Sequence, residues 1–110
     1  MGAFDIFLSK EKLIRKTIEI DNSLYEKLKE LSETRYDASV NKLINVALIE
    51  LIKTEDIKVY VKKDNEISVK HTLLIRESTV IGLDKLKDKY DISIYKLTNL
   101  AIKNAIEQIK

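Results

Sequence analysis

The 110-residue chain contains no cysteine and a single histidine, His71. The first absence removes disulfides and thiolate metal sites, and one imidazole cannot by itself build a zinc or haem site. Long apolar runs are also missing: stretches such as Val46-Ala47-Leu48-Ile49 are far too short to span a bilayer. Residues 1 to 12 do not read as a signal peptide, because Asp5 interrupts their apolar stretch, so a cytoplasmic location is the default expectation. Net charge is small: 20 Lys and Arg against 18 Asp and Glu leave +2. Residues 1–53 hold nine charges of each sign, and residues 54–110 hold eleven basic against nine acidic. Any attraction to nucleic acid must therefore come from clustering on one face. One histidine, no cysteine and scattered carboxylates supply no nucleophile, acid–base pair or metal set, so neither catalysis nor a cofactor is expected.

What is present is a balance of 45% hydrophobic and 35% charged residues, which suits a folded, mostly helical globule. The length suits one compact domain, whereas either half alone would bury too little surface to be stable. Within it lies a repeat. Tyr36-Asp37-Ala38-Ser39-Val40-Asn41-Lys42-Leu43-Ile44-Asn45-Val46-Ala47 matches Tyr90-Asp91-Ile92-Ser93-Ile94-Tyr95-Lys96-Leu97-Thr98-Asn99-Leu100-Ala101 at Tyr, Asp, Ser, Lys, Leu, Asn and Ala. Upstream, Thr17-Ile18-Glu19-Ile20 aligns with Thr72-Leu73-Leu74-Ile75, and Leu28 and Leu31 align with Leu83 and Leu86 once one residue is dropped before Tyr90.

Each copy changes its hydrophobic period part-way. Thr17 to Ile20 alternates polar and β-branched apolar residues, as a half-buried strand does. Leu24, Leu28 and Leu31 then recur at helical spacing, after Asp21, Asn22 and Ser23, any of which can cap a helix; Ser23 with Glu26 makes a capping box. This predicts a helix over 22–34. Ser39 caps a second helix over 40–53, whose apolar face is Val40, Leu43, Ile44, Ala47, Leu48, Leu51 and Ile52. The second copy predicts a strand over 70–75, a helix over 78–89 and a helix over 94–109 capped by Ser93. Gly82 weakens its helix by up to about 1 kcal/mol relative to alanine.

A strand and two helices in about 40 residues, with Ser39-Val40-Asn41 or Ser93-Ile94-Tyr95 opening the second helix, resembles the ribbon-helix-helix family of Arc/MetJ-like DNA-binding proteins. Two copies in one chain resemble the tandem, TraY-like form. The resemblance covers residues 14–53 and 70–110. It implies a mostly α fold with a two-stranded antiparallel β-ribbon, a tandem pseudo-dimer in which four helices interlock beneath the ribbon. Elementary physics agrees, since one strand leaves unpaired amides and carbonyls and one helix pair leaves an open apolar face. Pairing within the chain and pairing between two chains are both feasible.

The partner implied is double-stranded DNA, read by the ribbon in the major groove. Burying Ile18, Ile20, Leu73 and Ile75 forces Arg15, Thr17, Glu19, Lys70, Thr72 and Leu74 onto the outer face as base-reading candidates. Phosphate contacts are expected at the start of each second helix, from Ser39, Val40, Asn41 and Lys42 and from Ser93, Ile94, Tyr95 and Lys96. The two reading sets differ chemically, so an asymmetric DNA site is expected, with homo-oligomerisation on DNA compatible. A transcriptional repressor and an accessory protein at a plasmid or mobile-element origin, as in conjugation, fit equally. An antitoxin-like or other protein-interaction module is the alternative. Residues 54–69 form a connector, either a β-hairpin, from the alternation of Ile57, Val59 and Val61, or a solvated tether. Residues 1–13, an N-terminal arm carrying Phe4, Ile6, Phe7 and Leu8, read as a disordered arm, a packing flap or an oligomer contact. His71 reads as a packed or rim residue.

Overall fold

The computed structural model describes residues 12–109. Strand β1 (Leu13–Asp21) is followed by helices α1 (Asn22–Thr34) and α2 (Val40–Thr54), and strand β2 (Ser68–Arg76) by helices α3 (Glu77–Tyr90) and α4 (Ile94–Glu107). Helix is the dominant element, and the same strand–helix–helix order occurs twice. The strands pair with each other in an antiparallel two-stranded sheet, so the pairing that the sequence left open takes place within the chain.

The register runs from Leu13 opposite Arg76 to Asp21 opposite Ser68, with Thr17 facing Thr72 at its centre. Thr17 and Thr72 are counterparts in the repeat, so each lies across from its own equivalent. The strand entrances match in the same way. The Asn22 amide donates to the Ile67 carbonyl at 2.8 Å, and the Glu77 amide to the Lys12 carbonyl at 2.9 Å.

Alternation decides what the sheet buries. Ile18, Ile20, Leu73 and Ile75 point inward and join Leu28, Ile44, Leu48, Leu83, Leu97 and Ile102 in one core shared by both halves. Gly82, read above as a weak point of its helix, has a packing reason. A Cβ there would lie 2.9 Å from Ile52 Cδ1, so glycine lets α3 approach α2 closely. Among the described residues, no helix is long and apolar enough to cross a membrane.

Helices α2 and α4 start as expected: Ser39 Oγ accepts from the Lys42 amide at 3.1 Å and Ser93 Oγ from the Lys96 amide at 3.2 Å. The capping box at Ser23 is not formed. The N-cap of α1 is Asp21, without a side-chain capping bond. The Ser23 amide donates instead to Glu66 Oε1 at 3.3 Å, and the Ser23 hydroxyl donates to the same oxygen. A carboxylate from the connector thus meets the free amides and positive dipole end of the helix.

The connector forms no hairpin, and residues 55–67 contain no strand. Val59 and Val61, which supplied the alternation, are 88% and 69% exposed and join no ladder, while Ile57 and Tyr60 pack against the core. Asn104 Nδ2 donates to the Asp56 carbonyl at 3.0 Å, pinning the start of this strap to α4. A turn closes from Lys63 to Glu66, with the Glu66 amide donating to the Lys63 carbonyl at 3.1 Å.

Two asparagines at equivalent positions tie each half to the strand of the other. Asn45 Nδ2 on α2 donates to the Leu74 carbonyl at 2.9 Å, and Asn99 Nδ2 on α4 to the Glu19 carbonyl at 3.0 Å. Glu19 and Leu74 are themselves counterparts. Each asparagine also bonds the carbonyl four residues back on its own helix, Asn41 at 2.9 Å and Tyr95 at 2.8 Å. The two sites are unequal, because Asn99 Oδ1 accepts from the Asp21 amide at 2.8 Å whereas Asn45 Oδ1 is buried without a protein partner. In addition, the Leu74 carbonyl keeps a second donor, Asn41 Nδ2 at 3.2 Å. Asn99→Ala leaves a buried amide and a carbonyl unpaired, so it is expected to cost about 2 to 3 kcal/mol, and Asn45→Ala about 1 kcal/mol. Urea unfolding of the two variants against the parent protein measures both losses.

Candidate nucleic-acid interface

The outward side of the ribbon carries the six residues that alternation assigned to it. Arg15, Thr17, Glu19, Lys70, Thr72 and Leu74 are all exposed. The register brings them together in three cross-strand pairs, Arg15 with Leu74, Thr17 with Thr72 and Glu19 with Lys70. The threonine hydroxyls at the centre are 3.3 Å apart. Lys70 stands across from Glu19, so the one carboxylate among these six residues has a residue of opposite charge as its cross-strand neighbour.

The face is longer than the sequence reading made it. Leu13, 55% exposed, and Arg76, also exposed, form a fourth outward pair at the end next to Arg15. Continuing the alternation one step past Ile75 would have found Arg76. With two arginines at this end and the Glu19–Lys70 pair at the other, the positive charge of the ribbon is concentrated on one side. Nine residues per strand give a ribbon about 30 Å long at roughly 3.3 Å per residue, and a two-stranded ribbon of this kind fits the width of a DNA major groove.

The starts of α2 and α4 flank the sheet, and here some assigned side chains prove to be committed elsewhere. Asn41 Oδ1 accepts from the Leu74 amide at 3.0 Å while its Nδ2 donates to the Leu74 carbonyl, so Asn41 pairs with the edge of β2 as another strand would. The Tyr95 hydroxyl donates to Asp21 Oδ1 at 2.6 Å. Val40 and Ile94 are half-buried against the core. The side chains of Val40, Asn41, Ile94 and Tyr95 therefore hold the helix start in place, and what these residues can offer an anion is a first-turn backbone amide, since Ser39 and Ser93 cap only the amides of Lys42 and Lys96. Ser39, Ser93, Lys42 and Lys96 are exposed.

Asp21 is the polar node that the sequence reading missed, having taken it only as a capping residue. It is fully buried. Its carboxylate accepts from the Tyr60 hydroxyl, from Ser68 Oγ at 2.6 Å and from the Tyr95 hydroxyl. Burial pushes its pKa up, but the three hydroxyl donors and nearby Lys62 outweigh burial and hold it below the usual carboxylate range. Burial, and then the Asp21 carboxylate, push both tyrosine hydroxyls above their ordinary value. The repeat could not flag this node, because the counterpart of Asp21 is Arg76. His71 lies flat against Tyr25, with ring centroids 3.8 Å apart and planes 9° apart, and burial lowers its pKa.

Compared with protein-family models, curated proteins and solved structures, the chain gives no match in any of the three.

The pH behaviour of the Asp21 node follows from the sign of its shift. A carboxyl more acidic in the folded than in the unfolded chain contributes stability above about pH 4, and that contribution is lost as pH falls through its lowered native value. Asp21→Asn, which cannot accept from all three hydroxyls, is expected to cost about 2 kcal/mol at pH 7 and progressively less below pH 4. Denaturant unfolding at pH 7 and pH 3 measures that narrowing gap.

Proposed function

We propose that this chain binds double-stranded DNA sequence-specifically, as a single-chain ribbon-helix-helix pseudo-dimer that lays its ribbon in the major groove. The observation that carries this reading is the register. An antiparallel ribbon centred on Thr17 and Thr72 presents Arg15, Thr17, Glu19, Lys70, Thr72 and Leu74 as one exposed face. Arg15 and Arg76 suit guanine, whose O6 and N7 accept from a guanidinium fork; the threonines donate or accept; Leu74, 44% exposed, suits a thymine methyl. The amides and lysines at the starts of α2 and α4 would grip phosphates on either side.

A repressor and an accessory protein at a plasmid or mobile-element origin would use this face identically. Both would meet the same asymmetry. Arg15 and Leu74 at one end answer to Lys70 and Glu19 at the other, so the two half-sites need not be alike, and the preferred site is not a palindrome.

Binding-site selection followed by salt-titrated affinity measurement tests this reading. The expected result is a non-palindromic site whose affinity falls steeply with salt. Perfectly palindromic sites, or no salt-dependent binding, would contradict it. Arg15→Ala is expected to relax preference at one base pair by about 1 to 3 kcal/mol, and Lys96→Ala to weaken all sequences alike and flatten the salt slope by about one charge.

A further inference from the structure

The repeat sets two equivalent places beneath the ribbon, each between one strand and the helices of the other half. At the first, the Tyr25 ring of α1 lies flat on His71 of β2, with centroids 3.8 Å apart and planes 9° apart. At the second, the counterpart of Tyr25 is Val80 on α3, and the counterpart of His71 is Lys16 on β1. A pair of stacked rings is thus exchanged for a short branched side chain and a long flexible one, and a slot of about 220 Å³ stands open there.

The floor of the slot is Ile18 and Leu83, both buried, and its walls include the half-buried Val80 and Ile94. Lys16 and Asp84 stand at its exposed rim, and neither has an ion-pair partner among the described residues. An aliphatic slot holds water poorly, because water there lacks the several polar partners it needs. The walls in turn forgo the contacts that an occupant would supply. The other half shows which occupant this architecture accepts, a single flat ring laid against the strand.

We infer that this slot binds a small aromatic carboxylate. The ring of the ligand takes the place that Tyr25 holds in the other half, between Val80, Leu83 and Ile94, with its face on the aliphatic stem of Lys16. Charge complementarity at the rim sets the rest. The carboxylate meets the Lys16 ammonium, which the other half cannot offer because its equivalent, His71, lies under Tyr25. Asp84, where the first half has Lys29, repels a second carboxylate and favours a ring substituent that donates, a hydroxyl or an amine. The volume is below the roughly 300 Å³ at which drug-sized pockets begin, so one ring fits and two do not. Lys16 and Ile18 lie on the inner side of β1, opposite Arg15 and Glu19, so the site stands apart from what the outer face of the ribbon binds.

Methyl NMR of the full-length protein titrated with para-hydroxybenzoate tests the assignment. Shifts are expected at the Ile18, Val80, Leu83 and Ile94 methyls, with nuclear Overhauser effects from the ligand ring to Val80 and Ile94. A ligand of about ten non-hydrogen atoms is expected to saturate them at about 10 mM or below. Lys16→Met keeps the stem and removes the charge, and it is expected to weaken binding about tenfold, as does the neutral probe para-hydroxybenzamide on the unsubstituted protein. Val80→Tyr with Lys16→His copies the stack of the first half into the second and is expected to abolish binding. The exposed Lys16→Met and the neutral probe keep the test decisive where that pair fails to fold. Absence of saturation by about 10 mM overturns the proposal, and so does equal binding of para-hydroxybenzoate, para-hydroxybenzamide and cyclohexanecarboxylate. Nuclear Overhauser effects from a phenylalanine ring to the Val80 methyls in the ligand-free protein, within one molecule or between two, show a slot already filled and overturn it as well.

Discussion

The pairing of β1 with β2 in a register centred on Thr17 and Thr72 is the constraint on which the rest of the molecule hangs. An isolated two-stranded ribbon is marginal in water, and each helix pair alone would expose an apolar face. Once the strands meet in this register, Ile18, Ile20, Leu73 and Ile75 share one side and the four helices close over them. A slip of β1 by one residue would turn Ile18 and Ile20 to solvent and bring Arg15 and Glu19 inward. The asparagine bonds make such a slip costlier still, because Asn45 and Asn99 each recognise one particular carbonyl of the opposite half's strand.

The repeat sets the frame, and the departures from it set the differences between the two ends. Where Asp21 gathers Tyr60, Ser68 and Tyr95 around a buried carboxylate, its counterpart Arg76 is exposed beside Leu13. Where Asn41 pairs with the backbone of Leu74, its counterpart Tyr95 serves the Asp21 node instead. One end of the ribbon is thus locked by internal hydrogen bonds, and the other presents two arginines. A homodimer of identical halves could not divide these tasks. A single chain can, because each copy is free to vary while the shared register persists.

Much of this was legible in the sequence because it rests on local periodicity. The switch from alternation to helical spacing located both strands and all four helices, and Ser39 and Ser93 cap their helices by the bonds their position implies. What was not legible depends on partners far along the chain. Ser23 and Glu26 have the spacing of a capping box, yet Glu66, more than forty residues away in sequence, takes the Ser23 donors. Ile57, Val59 and Val61 alternate like a strand, but with Ile57 packed on the core, Tyr60 drawn to Asp21 and Asp56 held by Asn104, the connector becomes a strap. Asn45 and Asn99 were visible as identities in the repeat, and only the fold reveals that their amides reach across it. Gly82 reads as a defect until Ile52 is seen against it.

The same long-range bonds bear on how the outer face could work. Asn41 and Asn45 fix the start of α2 to Leu74, and Asn99 fixes α4 to Glu19, so the exposed residues of each strand and the helix start beside it are held in one rigid frame. A groove-reading ribbon gains from that rigidity. Ordering loose side chains and backbone on binding costs roughly 0.5 to 1.5 kcal/mol for each mobile group, and a frame ordered in advance avoids that cost. It also fixes the spacing between the groups that would meet phosphates and those that would meet bases, so in the proposed reading a backbone grip in the right place would bring Arg15, Thr17 and Thr72 over the bases without further adjustment. Under the proposed DNA-binding reading, the side chains of Asn41 and Tyr95, tied up in bonds to Leu74 and Asp21, would contribute by holding that spacing.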